Sequence, residues 1–153
     1  MHDEVLSWDD GMLLGHEPMD AVHREFVDVV AALQRSDDAN LPTALDRVIE
    51  HLRSHFGDED EQMRQTEFPP RECHIDEHAA VLRSAEEVRA RVAVGDCDAA
   101  RAFTAALADW FPGHATHLDS ALAHWLVKRR HGGKPVVFRR RLTSQPPPAE
   151  IPA

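Results

Sequence analysis

Apolar and polar positions recur along this chain at the spacing of helices. From about Met19 to Leu33, the residues Val22, Phe26, Val29 and Val30 form an apolar stripe at three- and four-residue steps. The break RSDDANLP follows, and its Pro42 suits a first helical position. Leu45, Val48, Leu52 and Phe56 then set the inward face of a second helix, from about Thr43 to Gln65. Phe68-Pro69-Pro70 ends it, because paired prolines cannot continue a helix. A third segment covers about Arg71 to Val94 and stops near Gly95-Asp96. The fourth begins near Asp98, continues past Leu126 and ends by Gly132-Gly133. Pro112, inside it, removes one backbone hydrogen bond and predicts a kink. Only the short PVVF near the C-terminus reads as β-structure.

Four long helices with short connections predict an all-α fold, an antiparallel up-down-up-down four-helix bundle over residues 1–130. The segment before the first helix, with Trp8 and Leu13-Leu14, is too apolar to idle in solvent and is expected to pack along the bundle. Residues 131–153 form a separate basic, Pro-rich C-terminal tail.

Charge sharpens that division. Residues 1–127 carry 26 acidic and 10 basic side chains, whereas residues 128–153 carry 1 and 7. An acidic body argues against nucleic acid as a partner, because binding phosphates needs a positive surface. The basic tail has two readings, an appendage on the acidic body or in solvent, and a dock for an anionic partner. Cys73 and Cys97 form no CxxC pair and read as free thiols of a reducing compartment. The acidic start MHDEVLSWDDGMLL lacks the pattern of a signal peptide, and no run approaches about 18 apolar residues. The expectation is a soluble, cytoplasmic protein with no membrane span.

Histidine changes the picture most, at 11 of 153 residues. His23 falls on the first helix, and His55 with Glu59 on the second. His74 with His78 falls on the third, and His114, His117 and Asp119 on the fourth. The i, i+4 pairs 55/59 and 74/78 each place two donors on one helical stripe, as a metal in a bundle core requires. Imidazole with carboxylate suits iron, zinc, copper or nickel. HIDEH also matches H-x-x-E-H, the inverted zinc-protease pattern with Glu77 activating a zinc-bound water, but that leaves His23, His55, Glu59 and Asp119 unexplained. The Glu-x-x-His tetrad of ferritin-like di-iron proteins does not occur.

From Trp8 to about Leu126 the chain resembles the hemerythrins, and most closely the single-domain bacterial ones. The resemblance rests on Trp8, Gly15, Asp20 and His23 (W…G…D-x-x-H), then His55, Phe56 and Glu59 (H-F-x-x-E). It continues through His74 and His78 (H-x-x-x-H), then Trp110, His114 and Asp119 (W-x-x-x-H-x-x-x-x-D). The resemblance implies two iron ions with an oxo or hydroxo bridge. His74, His78 and His114 would hold one and His23 and His55 the other, with Glu59 and Asp119 bridging. It also implies that Phe26, Phe56, Trp110 and Phe111 line the pocket, although helical spacing alone reads them as ordinary core. Asp119 comes from the family pattern only. Five residues past His114 is about 140° around a helical wheel, and His117 lies nearer the same face.

The implied activity is reversible dioxygen binding at the open position of the two-histidine iron, in a carrier, store or local supplier that is not an enzyme. The alternative is a sensor of oxygen, nitric oxide or redox state at the same site. Two positions depart from the family: Ala115 replaces a bulky aliphatic residue, and Pro112-Gly113 precede His114. His51 reads either as a packed histidine or as an outer partner of the site. His2, His16, His124 and His131 read as peripheral.

Overall fold

The computed structural model describes residues 4–130. Four helical rods form: α1 (Glu17–Arg35), α2 (Leu41–Gln65), α3 (Arg71–Ala93) and a fourth starting as α4 (Cys97–His114). The fourth rod runs on without a break through a wide π turn (Ala115–Asp119) into α5 (Ser120–Arg130). No strand occurs among the described residues. The PVVF segment, the basic tail, His2 and His131 lie outside them. Around the bundle α1 packs on α2, α2 on α3, α3 on α4, and α4 back on α1. No described helix is long and apolar enough to cross a membrane.

The helices begin and end where local chemistry requires. The imidazole of His16, expected to be peripheral, is buried and caps α1, its Nδ1 accepting the Met19 N–H at 3.3 Å. That contact satisfies a donor that a helix start leaves open. Asp96 caps α4 in the commoner way, accepting the Ala99 N–H at 3.1 Å. Between α3 and α4, Gly95 takes φ +94°, a turn conformation that a side chain would strain.

The segment ahead of α1 packs as expected. Leu6, Trp8 and Met12 lie against the main apolar cluster, and the Arg24 guanidinium sits 4.8 Å over the Trp8 ring. Buried Asp20 draws the chain entry onto α1, accepting the Leu14 N–H at 2.8 Å and the Gly15 N–H at 3.2 Å. The D-x-x-H spacing therefore couples the fixed start of α1 to His23 one turn on.

Two apolar clusters fill the interior. The larger contains Phe26, Leu45, Leu52, Phe56 and Phe111; the smaller contains Met19, Met63, Phe68 and Leu122. Between members of the two clusters lie His23 on α1 (Met19 to Phe26), Glu59 on α2 (Phe56 to Met63) and Asp119 on the fourth rod (Ala115 to Leu122). A polar layer thus separates two apolar ones.

Candidate metal centre

All seven candidate ligands converge in this layer, each at most 5% exposed. His74, His78 and His114 with Glu59 and Asp119 form one group of donor atoms, mutually within 4.8 Å. His23 and His55 with the same two carboxylates form a second such group. Each acid divides its oxygens between the groups. Asp119 turns Oδ1 toward Nε2 of His74 (2.9 Å) and His114 (3.1 Å), and Oδ2 toward Nε2 of His23 (3.0 Å). Glu59 turns Oε2 toward His55 (2.8 Å) and Oε1 toward His78 (3.4 Å) and His74 (3.6 Å).

Asp119 reaches this position because of the π turn. Pro112 cannot donate to the carbonyl four residues back, so the helical ladder is already interrupted there. The helical rod continues past Pro112 without a break. It re-forms with wider spacing, and the Ser120 N–H bonds to the Ala115 carbonyl five residues back. One extra residue per turn rotates Asp119 onto the face of His114, and it is 0% exposed. His117, favoured by an ideal wheel, is exposed.

Outside the ligands lie two carboxylates: Asp60, which sequence reading missed, and Glu77, which it placed only in the protease pattern. Asp60 accepts the Nδ1–H of His78 at 2.7 Å, and Glu77 accepts the Nδ1–H of His114 at 2.8 Å. Glu77 also accepts the Trp110 indole N–H at 2.8 Å. This occupies the residue that the protease pattern would have made a base. In the neutral rings, protonation at Nδ1 leaves a lone pair on each Nε2, and the two atoms face each other at 3.2 Å. Two lone pairs so close repel unless a metal ion or a proton lies between them.

Other atoms fit a metal equally well. His23 Nε2 is close to Asp119 Oδ2, yet both atoms lie outside hydrogen-bonding geometry and have no partner. Glu59 Oε1 is also buried and unpartnered. Unpartnered buried polar atoms cost free energy, and a shared cation would satisfy all three.

Without metal, protons take up the charge. Burial opposes an imidazolium at His23, but Asp119 and Glu59 outweigh it and raise its pKa to about 9. His114 is raised for the same reasons, with burial opposing and Asp119 prevailing. Burial would push the Asp119 carboxyl up; the His114, His23 and His74 imidazoles hold it well below the usual carboxylate range instead.

The flanking aromatic rings stack on the imidazoles. Phe56 lies flat on His78 at 4.0 Å, and Trp110 stacks on His114 at 4.2 Å. Phe111 meets His23 edge-on at 5.2 Å and stacks on Phe26 at 4.4 Å. Ala115 is 2% exposed and joins the same apolar cluster. His51 is buried with its ring 5.2 Å from that of His55, and belongs to neither ligand group.

The profile of the Hemerythrin HHE cation binding domain matches residues 14–126. This chain belongs to the hemerythrin family. The bacteriohemerythrin of Ralstonia nicotianae is 35% identical over 125 residues, covering 82% of this chain and 91% of that protein. That of Stenotrophomonas maltophilia is 25% identical over 123 residues, covering 78% and 80%. No solved structure gives a significant match. The hemerythrin bundle here carries a buried His/Glu/Asp cluster that fits a di-iron site.

Proposed function

We propose that this hemerythrin binds dioxygen reversibly at two non-haem irons, as a non-enzymatic carrier, store or local supplier. The observation that supports it is the division of Glu59 and Asp119 between the two histidine groups. His74, His78 and His114 with the two shared acids offer one iron five protein ligands. His23 and His55 with the same acids offer the other four, which leaves room for an exogenous ligand. A ferrous pair held there supplies the two electrons that dioxygen binding draws on.

The protein's own part is to orient and to exclude water. Asp60 and Glu77 fix the tautomers of His78 and His114, so that each presents Nε2 inward. Phe26, Phe56 and Phe111, each at most 1% exposed, close the larger apolar cluster over one side of the layer. Trp110 covers His114 while its N–H is held by Glu77.

The test is reconstitution of the full-length apoprotein with ferrous iron, followed by repeated cycles of air and argon with optical detection. The expected outcome is two irons per chain and a visible band that appears in air and disappears under argon over several cycles. Conversion on first exposure to a stable ferric spectrum would overturn reversible binding and favour the sensor reading. Stoichiometric zinc in place of iron would overturn the di-iron centre.

A further inference from the structure

The two halves of the cluster are built to different standards. On the α3/α4 side, His78 is anchored by Asp60 and His114 by Glu77, and Glu77 is itself held by Trp110. Of that trio only His74 leaves Nδ1 without a partner. On the α1/α2 side neither ring is anchored: Nδ1 of His23 and Nδ1 of His55 are both buried and unpartnered. Carboxylate anchors of this kind change metal affinity by about 10–100-fold. The α3/α4 side also has one more imidazole. The second cation to arrive must share Glu59 and Asp119 with the first and enter its repulsive field.

The α1/α2 side also has a route from the surface. A cavity of about 120 Å³ lies between α1 and α2, walled by Met19, Val22, Asp58 and Gln62, with His55 and Glu59 among its lining residues. No histidine of the α3/α4 group lines it. Asp58 is exposed, so its carboxylate is placed to attract a cation.

We infer that the metal positions fill in order: the α3/α4 position binds first and is retained, while the α1/α2 position is exchangeable and reached through this cavity. The inference rests on the di-iron reading above and assigns Asp58 to ion entry and Glu77 to positioning His114.

The experiment is an anaerobic cobalt(II) titration of the full-length apoprotein, read by visible absorbance and calorimetry, followed by chelator extraction of the loaded protein. Two resolved phases are expected, the first at least about 10-fold tighter. Chelator then removes one ion promptly and leaves a one-ion protein. Glu77→Ala should weaken the first phase by about 10-fold or more and spare the second. Asp58→Asn should slow the second phase several-fold at unchanged stoichiometry. His23→Gln should bind one ion with the tight constant. Two equivalents bound with one indistinguishable affinity, or Glu77→Ala weakening only the second phase, would overturn the order while leaving the di-iron reading intact. Uptake of no more than trace metal would overturn both.

Discussion

This bundle has two kinds of interior, and they differ in what they do for the fold. The larger apolar cluster, around Leu45, Leu52 and Phe56, is close-packed hydrocarbon whose burial stabilises the structure. The adjacent layer buries five imidazoles and two carboxylates and leaves polar atoms unpartnered. Of those atoms all but His51 Nε2 belong to the candidate ligands. The first interior makes the bundle; the second weakens it until a cation arrives. Stability and metal binding should therefore separate under mutation.

The largest expected effect comes from the apolar side. Leu52 is fully buried, and Leu52→Ala should cost about 2–5 kcal/mol in metal-free and loaded protein alike. Metal content should remain at two per chain. Denaturant melts paired with metal analysis would show it, and a matching loss of metal would merge the two interiors into one.

Metal removal comes next. Each ion bound only by the folded state should stabilise it by about 2.7 kcal/mol at a free concentration 100-fold above its dissociation constant. Stripping the protein with chelator should lower the melting temperature while helical circular dichroism is kept. An unchanged melting temperature would show that the polar layer is already satisfied without metal.

The pH dependence sharpens the contrast. His23 has a folded pKa raised to about 9 from 6.5. The stability it contributes is complete below about pH 6.5 and is lost as pH rises through about 9. The metal-free protein should lose stability across that window from this group. The loaded protein, whose His23 has no proton to release, should be flatter. Identical profiles for the two forms would contradict the charge balance described for the layer.

The smallest effect tests the π turn. His117→Ala, at an exposed position, should shift stability by no more than about 0.5 kcal/mol and leave metal content intact. Asp119→Ala, two residues away, should reduce metal content below two. A reversal of these outcomes would restore the ordinary helical wheel.

Much of this was legible in the sequence because the apolar stripes of α1 and α2 and the paired prolines after Phe68 act locally. His55 with Glu59 and His74 with His78 were legible for the same reason, being one turn apart on regular helix. Asp119 was not legible from spacing, because Pro112 and the wide turn after it change the helical phase. Asp60 was hidden among 27 acidic residues, each of which has solvation as its default, and Glu77 stood out only through the protease pattern, in a different role. Their roles come from contacts 18 and 37 residues apart, which no local pattern encodes. His16 escaped because imidazole is an uncommon cap, and the signal pointing to it was only its place just before Glu17-Pro18.

The most direct test of the shared-carboxylate arrangement is a crystal structure of the iron-loaded protein with anomalous scattering recorded at the iron edge. The account predicts two peaks in the polar layer. One is ligated by His74, His78 and His114, the other by His23 and His55, with Glu59 and Asp119 each touching both. A single peak, or two peaks that do not share either carboxylate, would contradict it.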